Sequence, residues 1–438
     1  MARFRLTTLS ALLALSVATA HAATPRPEVD AAARALQQKV VDWRRDFHAH
    51  PELGNRETRT AQKIAAHLKS LGLKPRTGIA TTGVVAIIEG GQPGPRLALR
   101  ADMDALPVTE RTGLPFASTV KTTFNGEQVG VMHACGHDAH ISILMGVAES
   151  LVKMKDQLPG QVMLIFQPAE EGPPDGEEGG AEVMLAQGLF KDFKPDAIFG
   201  LHVFSSVPAG KVAVRGGPLM AAADRFDITV KGRQTHGSAP WAGIDPIAAS
   251  AELISSAQHI VSRRTNIAQL PAVVSFGSVR GGVRFNIIPD QVRLVGTIRT
   301  FDEGVRQQIF KDLKNVSEHV AAAHGATVEA KVPDIAGTPV TINDAALTAR
   351  MWPSLQAALG PDNVYEPPLQ LGAEDFSYFG QQVPAMFFFV GSTGAGLDPA
   401  TAPSNHSPEY LVDESALDVG LRAMLQVSLD FLHGEGAG

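Results

Sequence analysis

The sequence holds a single cysteine, Cys135, so no disulfide can form within the chain. A lone thiol is most simply a small buried hydrophobe, and any other role for it needs neighbours to argue from. Positive charge is also scarce: 38 Lys and Arg stand against 45 Asp and Glu, a formal net charge of −7. That balance disfavours nucleic acid and anionic membrane as partners, since both attract basic surfaces. Small substrates suit it better. Long apolar runs are missing as well. Leu9–Ala20 falls short of the roughly 20 residues a membrane-spanning helix needs, and no later stretch is long enough.

That early run has another reading. Arg3 and Arg5 precede it, and Ala20-His21-Ala22 follows as a small-x-small cleavage pattern. Residues 1–22 are thus expected to be a signal peptide, with a mature protein starting near Ala23 and working in the periplasm or outside the cell.

At 438 residues the chain exceeds the size at which one core usually keeps growing, so two domains are expected. Helical periodicity covers Val29–Phe47, Glu57–Leu71 and Ile141–Lys155, while Val84–Ile88, Leu97–Leu99, Val162–Phe166 and Ala197–Leu201 look like buried strands. The alternation predicts an α/β domain with a mostly parallel sheet and helices on both faces. After about Pro218 the order becomes strand Phe226–Val230, helix Asp245–Arg263, strands Ala272–Val279 and Val292–Arg299, helix Glu303–Ala323 and strand Thr327–Val332. This β-α-β-β-α-β order predicts a ferredoxin-like α+β domain. The first pattern then returns with helix Ala345–Leu359, strand Ala385–Val390 and helix Glu414–Leu432. The expected division is residues 23–217 with 333–438 as a discontinuous catalytic domain, and 218–332 as an insertion within it.

Chemistry-bearing residues fall at the ends of these strands or the starts of helices. Cys135 and His137 flank Gly136, and a thiolate with an imidazole suits zinc, manganese, cobalt or nickel better than calcium or magnesium. Glu170 and Glu171 follow an apolar strand, where one carboxylate can bind metal while its neighbour holds a water. Taken alone, that pair is better explained as a solvated turn. His202 closes another strand, and His406 sits in a loop before the last helix. Singly each has a bland explanation. Together they supply one thiol, three imidazoles and two carboxylates, the inventory a dinuclear hydrolytic site needs.

Seven runs carry a resemblance: Arg100-Ala-Asp-Met-Asp104-Ala-Leu-Pro107, Met132-His-Ala-Cys-Gly-His-Asp138, Gln167-Pro-Ala-Glu-Glu171, Gly200-Leu-His202, His236-Gly-Ser-Ala-Pro240, Gly372-Ala-Glu-Asp-Phe376 and His406-Ser-Pro408. In order and over nearly the whole mature chain, they resemble the hippurate hydrolases and indole-acetyl-amino-acid hydrolases. These belong to the aminoacylase and carboxypeptidase-G-like dinuclear metallopeptidases. The resemblance implies Cys135, His137, Glu171, His202 and His406 as ligands of two divalent ions, zinc or manganese first, cobalt or nickel as alternatives. It implies Glu170 as general base, Asp104 as an orienting group behind a ligand, and His236 as an oxyanion-stabilising residue often supplied by a partner subunit. Asn286 and Arg299 match positions that bind a substrate carboxylate, a task suited to the guanidinium fork. Implied with them are N-acyl amino acid or short peptide substrates and a homodimer formed through the inserted domain. Two features depart from the pattern: Trp241 stands where relatives commonly carry a second histidine, and the loop after Glu171 is longer than usual. Two rivals remain at this level: a cysteine-nucleophile hydrolase using Cys135, and an exported metal- or peptide-binding protein without catalysis.

Overall fold

The computed structural model describes residues 24–435, and the expected signal peptide at 1–22 lies outside the described residues. An eight-stranded sheet runs in the order Arg76–Ile79, Gly83–Glu89, Pro159–Gln167, Gln92–Asp102, Ala197–Pro208, Ala385–Thr393, Val212–Ala213, Val364–Tyr365. Its four central strands, from Pro159–Gln167 to Ala385–Thr393, are parallel, and Gly83–Glu89 runs against them. Strands buried on both faces read as continuous apolar runs, and Ala385–Thr393 is buried along its whole length. Helices Pro27–Ala49, Thr58–Ser70, His137–Lys153, Ala345–Leu359 and Ser415–Leu432 pack one face around a core that includes Leu99, Leu164 and Phe388. Shorter helices, Gly180–Ala186 and Phe376–Gly380, cover the other around Ile165, Ile198 and Phe387. The expected mostly parallel sheet with helices on both faces is therefore present.

Helix His137–Lys153 starts four residues before the apolar onset at Ile141. Gly136 explains the difference. Its φ is +90°, and a Cβ there would lie 2.3 Å from Val203 Cγ2, so only glycine lets the chain turn directly into a helix at His137. The first turn then buries His137, Asp138 and His140, polar residues that hydrophobic periodicity cannot flag.

Residues 222–331 form a second sheet, antiparallel, in the order Ala272–Gly281, Gln291–Thr300, Ala222–Lys231, Thr327–Lys331. Helices Pro246–His259 and Glu303–Ala323 cover one of its faces around Phe226, Leu253, Leu294 and Ile309. Asp245 and Asp302 cap these helices by accepting backbone N–H bonds from their first turns. The β-α-β-β-α-β order is the one expected, although the first helix ends at His259 and finishes in a π-turn, Ile260–Arg264. Burial alternates along Ala222–Lys231 and Gln291–Thr300, and Arg299 falls on the half-buried side away from this core. No helix among the described residues is long and apolar enough to cross a membrane.

Candidate metal centre

Parallel strands of an open α/β sheet deliver their carboxyl ends to one edge, and ligand sites form there. Gln92–Asp102 leads to Asp104, Pro159–Gln167 leads to Glu170 and Glu171, and Ala197–Pro208 carries His202. The turn before helix His137–Lys153 adds Cys135, and the loop before Ser415–Leu432 adds His406. Ala169 and His406 hold φ of +51° and +73°. Such backbone is uncommon for non-glycine residues and gathers where neighbours over-determine a conformation.

The five expected ligands converge. Cys135 Sγ is 3.2 Å from His202 Nε2 and 3.2 Å from His406 Nε2. Donor atoms of Cys135, His137 and His202 lie within 4.8 Å of one another, as do those of Cys135, Glu171 and His406 and those of His137, Glu170 and Glu171. Two features fit a cation. First, His137 Nε2 and Glu171 Oε1 are buried yet make no hydrogen bond, even though His406 Nε2 lies 3.0 Å from that oxygen. Buried polar atoms are normally satisfied, and lone pairs that converge without pairing are what a metal ion needs. Second, negative charge is in excess: burial opposes charging of His137, yet Asp102 and Asp104 outweigh it and push the ring up to about 10. A cation would match the charge that this proton neutralises.

Two of the three imidazoles are oriented by their other nitrogen. His202 Nδ1 donates to Val203 O at 2.7 Å, leaving Nε2 free toward Cys135. His137 Nδ1 lies 3.3 Å from Asp104 Oδ1, and Asp104 Oδ2 accepts the Glu171 backbone N–H at 3.0 Å. One buried carboxylate thus orients two of the candidate ligands. His140 is adjacent but fully engaged: Nδ1 donates to Asp102 at 2.5 Å while Nε2 accepts the Val203 N–H at 2.8 Å. It supports the site and has no lone pair to offer. Asn405 ties three segments together, donating to Cys135 O and Val203 O at 3.1 Å and accepting from Ser205 N at 3.0 Å. Below them Arg100 reaches Asp102, Glu374 and Asp375 at 2.8–2.9 Å. Asp102, His140, Asn405 and the Arg100 cluster received no role from sequence reasoning. The only signal was their presence in the quoted runs or beside one.

Burial pushes the Cys135 thiol well above its ordinary range, and the Glu171 and Glu170 carboxylates add to that. A nucleophilic cysteine needs electropositive surroundings, so this site opposes the cysteine-hydrolase reading. Burial, with Glu374, Glu171 and Asp375 nearby, also raises the Glu170 carboxyl well above the usual carboxylate range.

A cavity of about 650 Å³ opens over these groups, lined among others by Cys135, Glu170, Glu171, His202, His406 and Arg299. Arg299 is half-buried, and among the described residues no carboxylate lies within ion-pair distance of it. Neither His236 nor Asn286 lines this cavity in the single chain. Both sit on the second unit, where Gly237 N donates to Asn286 O at 2.8 Å and His236 is exposed. Trp241 is 82% exposed nearby in sequence. The longer loop after Glu171 is fastened by Glu177, which accepts from Asn55 and Arg56.

The family described as peptidase family M20/M25/M40 matches residues 98–430. The chain is 40% identical over 400 residues to thermostable carboxypeptidase 2 of Saccharolobus solfataricus, covering 91% of this chain and 96% of that protein. An N-acetyl-L-cysteine deacetylase of Bacillus subtilis is 38% identical over 382 residues, 87% of this chain and 85% of the relative. A solved Bacillus subtilis structure described as a dinuclear metal binding peptidase from the M20 family aligns with a TM-score of 0.75 and 34% identity, covering 91% of this chain and 99% of that one. The present protein is a metal-dependent hydrolase, of the amidohydrolase and peptidase class. It belongs to the M20/M25/M40 peptidase family.

Proposed function

We propose that this protein hydrolyses the amide bond of N-acyl amino acids or short peptides bearing a free carboxylate, in the manner of hippurate hydrolases. One observation carries the reading: Cys135, His137, Glu171, His202 and His406 meet beside Glu170 on a cavity that also exposes the unpaired Arg299. Carboxypeptidase and deacetylase relatives favour the same bond type and substrate form.

The five donors would hold two divalent ions, zinc or manganese first, with cobalt or nickel as alternatives. Such ions would lower the pKa of a water held there and polarise the amide carbonyl. Glu170 takes that water's proton and hands it to the departing amine nitrogen. Arg299 pairs with the substrate carboxylate and fixes the scissile bond over Glu170. His236 donates to the oxygen that becomes negative, and it does so from a second copy of the chain, a reading supported by its absence from the lining of its own cavity. On this reading the dimer contact lies on the inserted unit, with Asn286, whose backbone meets that of Gly237, as a second contact to the substrate. Residues 1–22 direct export, and the mass of the mature chain tests cleavage before Ala23.

The deciding experiment is Glu170→Gln in enzyme reloaded with each metal and screened on hippurate, indole-acetyl conjugates, N-acetyl-diaminopimelate and dipeptides. The variant should bind metal fully and lose turnover. Unchanged turnover refutes the assignment of the base.

A further inference from the structure

The turn Pro168-Ala169-Glu170-Glu171 carries both candidate carboxylates, and something must hold its uncommon backbone. Two of its N–H groups end on buried carboxylates. Glu171 N donates to Asp104, as described above, and Ala169 N donates to Glu57 Oε1 at 2.9 Å. Glu57 is fully buried, and its other oxygen accepts from Thr82 Oγ1 at 2.6 Å. Ala169 has little freedom besides, because a Cβ on Gly54 or Gly179 would come within 3.2 Å of its side chain.

The place of Glu57 in its own helix makes this contact informative. It occupies the N-cap of Thr58–Ser70, where a carboxylate ordinarily accepts from the first turn, yet it makes no such bond. Glu52 does that work instead, accepting from Arg59 N at 3.0 Å and Thr60 N at 2.8 Å. Glu57 is thereby released from capping and points across the fold, 112 residues along the chain, to the residue immediately before Glu170. Burying a carboxyl group is costly unless its oxygens are well partnered, and here one partner is the Ala169 N–H of the turn and the other is Thr82 Oγ1, just before strand Gly83–Glu89.

We propose that Glu57 is a positioning residue for the reaction: its hydrogen bond to Ala169 N–H sets the direction of Glu170, while Asp104 separately sets Glu171. This rests on the reading of Glu170 as the base. The division of labour predicts a split phenotype, with the base lost and the metal kept.

The test compares Glu57→Ala, Glu57→Gln and Thr82→Val in metal-loaded protein, with Glu170→Gln as control. A displacement of about 1 Å in a catalytic group can cost about 100-fold in rate. Glu57→Ala should therefore lose about 100-fold in kcat, with KM and metal content near wild type. Glu57→Gln keeps a carbonyl oxygen for Ala169 N–H and an amide for Thr82, so kcat should return to within about fivefold of wild type, as one retained neutral bond predicts. Thr82→Val should lower kcat by about three- to tenfold, the worth of one hydrogen bond, and it carries the test if Glu57→Ala does not fold. Folded, metal-loaded Glu57→Ala at wild-type kcat, Glu57→Gln as impaired as Glu57→Ala, or Thr82→Val at wild-type kcat each overturns the proposal. An active Glu170→Gln refutes the base itself, whereas an inactive Glu170→Gln beside an active Glu57→Ala refutes only the role of Glu57.

Discussion

Replacing Asp104 should weaken metal binding although Asp104 is not itself among the candidate ligands. Its side chain is buried, with Oδ1 facing His137 Nδ1 at 3.3 Å and Oδ2 accepting the Glu171 N–H at 3.0 Å. Loss of a hydrogen-bond partner behind a metal ligand typically costs about 10–100-fold in affinity, or about 1.4–2.7 kcal/mol at 1.36 kcal/mol per tenfold. Asp104→Ala removes support from two candidate ligands at once, so the upper figure, about 100-fold, is expected. Asp104→Asn keeps one carbonyl oxygen and can satisfy one contact, which points to about 10-fold. Competition with a chromophoric chelator gives both dissociation constants, and far-UV circular dichroism verifies that each variant is folded. If folded Asp104→Ala holds metal within about threefold of wild type, the orienting role is wrong, because a loss below the usual 10–100-fold range leaves nothing to explain.

Stripping the metals with a chelator should abolish turnover and lower the melting temperature. Occupancy at about 100 times the dissociation constant is worth about 2.7 kcal/mol per ion, about 5.4 kcal/mol for two. At about 2.1 cal/mol/K per residue over a catalytic unit of about 300 residues this corresponds to about 8–9 °C, and calorimetry before and after reloading measures it. Activity that survives metal removal would revive Cys135 as a nucleophile. Arg299→Ala should raise KM for carboxylate-bearing substrates by about 10–100-fold, from the loss of a charge-assisted bond worth about 1.5–3 kcal/mol. Matched carboxamide analogues should show little change, and steady-state kinetics on the pair decides it. Burial, reinforced by Asp104, pushes the Glu57 carboxyl up to about 7. The native state therefore binds the extra proton between the unfolded value and about 7, and its stability should fall as pH rises through that window. In metal-free protein the melting temperature of Glu57→Gln relative to wild type should climb over the same range and then level off. A pH-independent difference contradicts this.

The sequence made the framework legible where burial follows a period. Pro159–Gln167 and Ala385–Thr393 are nearly continuous apolar runs, and the second unit alternates as a one-faced sheet does. Cys135, Glu171, His202 and His406 stood out only jointly, because together they complete the donor inventory of one site while each alone has a bland explanation. What stayed hidden depends on contacts with no local periodicity. Asn405 meets Cys135 across 270 residues, and Glu57 reads in sequence as an ordinary helix-start glutamate. The early start of His137–Lys153 was missed because its first turn is polar and buried together, a combination that only tertiary partners permit. His236 and Asn286 show the opposite limit: their motifs are visible, but a single chain does not bring them to the cavity.

The Cys135–His406 contact joins residues 271 positions apart, with the whole 222–331 unit synthesised between them. A nascent chain cannot assemble the full donor set until His406 has emerged and found the strands made long before it. Ions captured earlier would meet only part of the set and leave readily. Hydrolytic competence thus arrives late in biogenesis, as a by-product of chain topology, and a translation product ending before His406 lacks both that donor and the core helix Ser415–Leu432.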